Sequence, residues 1–285
     1  MLNLLFEFAA FFAFILLFGY LWPAGQFYYK YHVRARADRQ PIQERRPTPA
    51  QIRREILLSI QTIVIFALGA TVLYELYKAG KTSIYQPFYA YPIYFPISIV
   101  LCLLAHDTYF YWTHRFMHWK PVFKYMHVGH HKSVSPTPWA IFAFQPLEAV
   151  IQFIGIMLIV IFLPLSPLAL FVFLWYDSLV NTAGHTGYEL VPKWISQNRF
   201  FTGFNTVTHH DSHHTNMQVN YGSFFNVWDR LMGTYQADEE MLVPKVATPA
   251  ISKAHERGLT RRGREPRPVL HQGFKSRLRN SAGTG

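Results

Sequence analysis

Five apolar runs of near-membrane length occupy much of residues 1–184 and leave the chain few ways to fold. A helix needs about 20 mostly apolar residues to cross a bilayer. The first run covers residues 2–22, interrupted by Glu7, and the second roughly residues 56–76, with Glu75 at its end. The third, about residues 91–105, is short unless it continues through Tyr109, Phe110, Tyr111 and Trp112. The fourth and fifth, roughly 141–163 and 165–183, are split by Pro164, Ser166 and Pro167. Proline bars helix continuation, so that short split predicts an antiparallel helical hairpin.

Composition narrows the class further. Apolar types make up 51% of the 285 residues and charged types 15%, where a soluble domain carries about 25% charged. That content is too apolar and too clustered for a disordered chain. Cys102 is the one cysteine and lies in an apolar run, which excludes a disulfide scaffold and a cysteine zinc module. The first run reads as an uncleaved helix rather than a signal peptide. It is too long, no basic stretch precedes it, and the basic cluster follows it.

Charge sets the expected orientation. The chain has 27 Lys+Arg and 16 Asp+Glu, a formal +11, concentrated in residues 30–54 and 253–279. The first of these holds Lys30, Arg34, Arg36, Arg39, Arg45, Arg46, Arg53 and Arg54 against Asp38 and Glu44, which assigns it to the cytoplasm. Counting spans from there puts the amino terminus outside and residues 106–138, His185 and all that follows on the cytoplasmic side. The expected fold is all-α, a polytopic membrane helical bundle of four to five spans with a cytoplasmic histidine-box helical cap. Its parts are a first transmembrane helix (1–25), a basic cytoplasmic segment (26–55), a second span with an external loop (56–90), a catalytic domain (91–240) and a basic, poorly ordered tail (241–285). Juxtamembrane Lys and Arg bind anionic headgroups, and no nucleic-acid module is recognisable. The basic segments are therefore read as membrane contacts, with no nucleic-acid partner.

Fourteen histidines are present, eleven of them between His106 and His214. Three groups carry chemistry: His114-x3-His118, then His127-x2-His130-His131, then His210-x2-His213-His214. Residues three and four apart share a helix face, so each group can aim two or three imidazoles at one point. Eight such histidines overshoot one metal and suit two, and neutral imidazole favours iron, copper or zinc. His185 is a ninth candidate where the fifth run ends. Glu189, four residues on, is a candidate partner on the same face. Asp107, seven residues before His114, is a candidate acceptor for its ring proton. His106 and His209 adjoin the groups without a clear role, while His32, His255 and His271 read as incidental.

These residues resemble the fatty acid hydroxylase/sterol desaturase superfamily of integral-membrane di-iron, histidine-box enzymes. Pro136-Thr137-Pro138-Trp139, Asn220-Tyr221-Gly222, Trp228-Asp229-Arg230-Leu231 and Gly233-Thr234-Tyr235 are similar to the sterol C-5 desaturase branch. The resemblance covers about residues 100–237. It implies two iron ions held by His114, His118, His127, His130, His131, His185, His210, His213 and His214. It further implies O2-dependent hydroxylation or desaturation of a lipid C–H position, in a sterol or a related lipid. No nucleotide fingerprint, four-cysteine cluster or heme-attachment motif is visible, so electrons are expected from a separate ferredoxin or b-type cytochrome with its reductase. The expected location is a multi-pass protein of a bacterial inner membrane or the endoplasmic reticulum, with its active site facing the cytoplasm.

Other readings remain open on the residues. A hydroxylase of an acyl, sphingoid or aminolipid substrate would share the same ligand set. A histidine-rich metal transporter would need ligands at mid-membrane depth along a path, whereas these lie past helix ends. A zinc hydrolase would use about three protein ligands, fewer than are present.

Overall fold

Prolines and hydroxyl side chains set the helix starts. Thr48 accepts a hydrogen bond from the Gln51 amide ahead of Pro49, Ser166 from the Ala169 amide ahead of Pro167, and Thr206 from the His209 amide. Each satisfies an orphan donor of a first helical turn, and proline at a first position costs no hydrogen bond.

The structure is a computed structural model that describes residues 1–34, 41–43, 45–196, 198 and 200–237. These residues form α1 (Leu2–Val33), α2 (Pro49–Lys78), α3 (Tyr94–Met117), α4 (Lys120–Met126), α5 (Val128–His131), α6 (Pro146–Phe162), α7 (Pro167–Gly184), α8 (Lys193–Ser196), α9 (Val207–Thr215) and α10 (Val227–Met232). Among the described residues β-structure is confined to two isolated bridges, Ile84 with Leu165 and Phe204 with Phe225. The all-α expectation therefore stands. The basic tail, including His255 and His271, lies outside the described residues, as do Arg36, Asp38, Arg39 and Glu44.

Among the described residues two helices are long and apolar enough to cross a membrane, α1 with 32 residues and α2 with 30. The third run does continue, and α3 carries it to Met117. The fourth is shorter than expected. Residues 141–145 turn instead of joining the helix, and α6 has 17 residues. Ile141 is buried against Tyr20 and Ala24, and the Gln145 side chain accepts from the Gly129 amide at 2.8 Å. Pro146 at the first helical position bars the helix from extending back through these residues, and the tertiary contacts hold the segment ahead of it. The hairpin turn between α6 and α7 spans residues 163–166, where Leu165 is fully buried and pairs with the loop after α2.

Long helices pack where small residues let them approach. A Cβ on Gly69 of α2 would clash with the Phe153 ring of α6, and one on Gly155 of α6 would lie 2.6 Å from the Tyr109 ring of α3. Close approach at glycine is how helices associate when lipid removes the hydrophobic drive between them. Cys102, Ile159, Ala169, Phe173 and Phe224 form the core shared by α3, α6, α7 and the segment before α10. Outward positions such as Leu57, Leu68, Val72, Val100, Leu104 and Phe162 stay exposed.

One end of the bundle gathers the polar elements. At the opposite end Lys78 of α2 bonds Glu7 of α1 at 2.8 Å, which shows the two helices to be antiparallel. The start of α2, the end of α1, the ends of α3 and α7, and α4, α5 and α9 then share the other end. There Gln51 donates to the Ser135 carbonyl at 2.7 Å and Arg54 to Ser133 Oγ at 3.1 Å. The start of α2 is thus in direct contact with the loop that follows the second histidine group.

Candidate metal centre

Helix ends deliver the histidines. His114 occupies the last turn of α3 and His118 caps it. Trp119, in extended conformation, turns the chain into α4, after which His127 and α5 present the second group. His185 is the capping residue of α7, and α9 carries the third group. The nine expected histidines come together in two adjoining clusters. His114, His118, His127, His131 and His213 form one, His130, His185, His210 and His214 the other, and within each the ring nitrogens lie within 4.8 Å of one another.

The division explains the spacing of the boxes and corrects one expectation. Histidine pairs four apart stay together: 114 with 118 and 127 with 131 in the first cluster, 210 with 214 in the second. Consecutive histidines point about 100° apart on a helix, so His130 and His131 part company, as do His213 and His214. Each of those two boxes therefore serves both clusters instead of aiming at a single point.

Several Nε2 atoms meet at metal-ligand spacing. The His114–His127 gap is 2.9 Å, while His118–His131, His131–His213, His185–His210 and His210–His214 are each 3.1 Å. Metal–imidazole bonds of about 2.1 Å meeting at a right angle set nitrogens about 3.0 Å apart. The opposite ring edges decide where the protons sit. His114 Nδ1 faces the Tyr221 carbonyl at 2.8 Å, His213 Nδ1 that of Val219 at 2.7 Å, and His185 Nδ1 that of Asn181 at 2.6 Å. A carbonyl can only accept, so each of these rings donates from Nδ1 and turns an Nε2 lone pair into its cluster. Glu148 Oε1 lies 2.6 Å from His127 Nδ1, and a carboxylate there would hold the ring proton of His127 in the same way. With the His127 proton on Nδ1, the 2.9 Å His114–His127 gap would bring two lone pairs together, an arrangement that a shared cation relieves. The donor set fits two first-row metal ions bound through imidazole.

Burial reinforces this by keeping the rings neutral. His127, His130, His210, His213 and His214 are pushed well below the ordinary histidine value, chiefly by desolvation. Desolvation also lowers His118 and His131, and takes His185 down to about 4. Neutral imidazole is the ligating form.

Two expected partners are placed elsewhere. Asp107 does not take the ring proton of His114, because seven residues of helix separate them by about 10 Å. Its Oδ1 accepts from the Phe224 and Phe225 amides at 2.7 and 3.2 Å. Glu189 shares no face with His185, since α7 ends at Gly184 and Gly187 turns the chain with φ +71°. Its carboxylate instead accepts from the Leu190 and Val191 amides and, at 2.9 and 2.6 Å, from the amide and hydroxyl of Thr208 in the first turn of α9.

The flanking histidines acquire local roles. His209 completes a capping box, its Nδ1 accepting from the Thr206 amide at 3.0 Å. His106 lies 4.0 Å from Asp177 among Phe110, Phe173 and Phe224, outside both clusters. His32 is not incidental, because its ring bonds the Thr186 carbonyl at 3.0 Å.

Sequence reasoning missed Glu148, although a lone carboxylate in an otherwise apolar helix is a signal in itself. It also missed Asp229, which accepts from the Tyr221 and Gly222 amides at 2.9 and 2.8 Å and so holds the carbonyl that orients His114. No sequence pattern announces the Tyr221, Val219 and Asn181 carbonyls, since every residue carries one.

Comparison with known proteins follows the same residues. A family model described as Fatty acid hydroxylase matches residues 99–234, a stretch that contains both clusters. The chain is 27% identical to a Delta(7)-sterol 5(6)-desaturase of Gibberella zeae, over 72% of this chain and 57% of that protein. It is 30% identical to the lathosterol oxidase of Homo sapiens, over 65% of this chain and 62% of that protein. It is 32% identical to methylsterol monooxygenase 1 of Rattus norvegicus, over 50% of this chain and 47% of that protein. The chain thus spans about half to two thirds of these relatives. No solved structure matches it.

Proposed function

This chain belongs to the fatty acid hydroxylase family, on its sterol desaturase branch, and from that premise we propose that it is a membrane-bound di-iron oxidoreductase acting on a C–H position of a sterol or related lipid. The observation that carries the proposal is the convergence of nine buried imidazoles in two adjoining clusters. His114, His118, His127, His131 and His213 would hold one iron, and His130, His185, His210 and His214 the other. Bound there, the two irons supply the activation of O2 and the one-electron steps that a C–H bond of this strength requires. For desaturation, two vicinal hydrogens, O2, two electrons and two protons yield a double bond and two waters.

The chain's own residues position and shield this chemistry. The Tyr221, Val219 and Asn181 carbonyls and the Glu148 carboxylate hold ring protons on the outer edges of their histidines. The Phe123, Phe144 and Tyr221 rings, centred 5.2–5.8 Å from cluster histidines, exclude water and offer an apolar wall to a lipid. The sterol desaturase and lathosterol oxidase relatives favour desaturation. The match to a methylsterol monooxygenase supports hydroxylation as the second reading, and an acyl, sphingoid or aminolipid substrate is a more distant alternative.

We further propose four to five spans, counting α3, α6 and α7 with α1 and α2, and a cytoplasmic centre. Support comes from the contact between the basic start of α2 and the loop after the second histidine box, since arginine-rich flanks stay in the cytoplasm. A ferredoxin or b-type cytochrome with its reductase would deliver electrons at that face. Comparing the lipids of cells with and without the gene tests the activity: a missing double bond is expected, and a missing hydroxyl would shift the reading to hydroxylation. One zinc per chain, with turnover independent of O2, would overturn it.

A further inference from the structure

The family match begins at residue 99, yet a strand of chain far ahead of it reaches the centre. Gln43 donates from Nε2 to the Val134 carbonyl at 2.8 Å and to the Asp211 carboxylate at 2.9 and 2.8 Å. Val134 follows the second histidine box, and Asp211 lies inside the third. Asp211 is 3% exposed, and Gln43 is the side-chain donor that the described residues offer to its carboxylate oxygens. Next to it, the Ile42 amide bonds the Gly187 carbonyl at 2.9 Å, and Arg46 bonds the Tyr188 hydroxyl at 3.0 Å. The segment around Gln43 thus fastens the second box, the His185 turn and the third box to one another.

Those three pieces supply all four histidines of the second cluster. The first cluster draws two of its five, His114 and His118, from α3, and Glu148 and the Tyr221 carbonyl brace it separately. We infer that Gln43 is a positioning residue for the four-histidine site, and that this site depends on the arm ahead of the family domain while the five-histidine site does not. The inference rests on the two-metal reading above. A buried carboxylate that loses its donor is left unsatisfied, and loss of an outer-shell partner typically weakens metal binding about ten- to a hundredfold.

Metal content, read on the full-length purified chain loaded with ferrous iron alone, tests this without recourse to turnover. Q43A is expected to hold about one iron per chain where the natural chain holds about two. In an H118A background, whose remaining iron sits in the four-histidine site, adding Q43A should strip it. In an H130A background, whose iron sits in the five-histidine site, adding Q43A should change nothing, and that retained iron also reports a folded protein. Q43E, which sets two carboxylates against each other, should lose iron, and D211N in the same chain should restore part of it. Equal loss from both backgrounds, or no loss from either, overturns the role of Gln43 and leaves the two-metal reading intact. A natural chain that binds no iron overturns both.

Discussion

The two histidine clusters use the same ligand and are built in different ways. In the five-histidine cluster, three rings have their outer edge held by a partner: His114 by Tyr221, His127 by Glu148 and His213 by Val219. In the four-histidine cluster His185 alone is so held, by Asn181, and the Nδ1 atoms of His130 and His214, like that of His131 in the first cluster, are buried without a partner among the described residues. The first cluster draws His114 and His118 from the end of α3, a helix of 24 residues, whereas the second draws His185 from the end of α7 and its other three rings from the short α5 and α9. Outer-edge bonds fix tautomer and ring direction before a metal arrives. The contrast therefore separates a preorganised site from one organised mainly by the segments around it, and the second should release its metal first.

The sharpest way to break this comparison is to remove one ligand from each side. H118A and H210A should each end turnover, because the proposed chemistry needs both irons, while each protein keeps about one iron per chain. Activity surviving in either variant would show that a single site suffices. Next in size is E148Q, which weakens the acceptor holding His127. A chelator titration followed by metal analysis should find the five-histidine site weakened about ten- to a hundredfold and the other site unchanged. Equal weakening of both would merge the two sites into one cooperative unit.

A smaller effect, common to both sites, is expected far from them. G69A drives a methyl group into the Phe153 ring and should cost about 1–3 kcal/mol in the packing of α2 against α6. The melting temperature in detergent should fall while the iron content holds. Iron lost selectively from one site would tie that helix contact to the centre.

The smallest effect concerns pH in metal-free protein. Burial holds His185 and His209 down to about 4, below the ordinary value of about 6.5 in the unfolded chain. The folded state then binds fewer protons, so these groups contribute stability that is complete above about pH 6.5 and lost as pH falls toward 4. Melting temperatures that fall steadily from pH 7 to pH 5 are expected. A rise on acidification would mean that the rings are charged in the fold.

Much of the fold was legible because apolar runs, prolines and capping hydroxyls act locally. The hairpin at Pro164–Ser166–Pro167 and the starts at Pro49 and Val207 are decided by groups within a few residues. The fourth run was misjudged at its start although Pro146 is a local stop, whereas the anchoring of Ile141 and Gln145 on Tyr20 and Gly129 joins parts distant in sequence. The same divide runs through the site. Nine histidines could be singled out, because ligand type and spacing are properties of the chain itself, but the partners proposed for them did not hold. Asp107 and Glu189 are near in sequence yet serve the segment before α10 and the start of α9. Glu148 and Gln43, far in sequence, are near in space.

By itself, then, the sequence determined an all-helical chain with apolar helices, an arginine-rich flank and three histidine boxes, since these follow from backbone periodicity and side-chain chemistry. Only the tertiary structure decided that each HxxHH box is shared between two clusters, which ring edges are braced, and that an arm outside the family domain reaches the second cluster. Those outcomes depend on how helix ends meet, and a bond such as that between Gln43 and Asp211 joins residues whose distance in the chain carries no information about their distance in space.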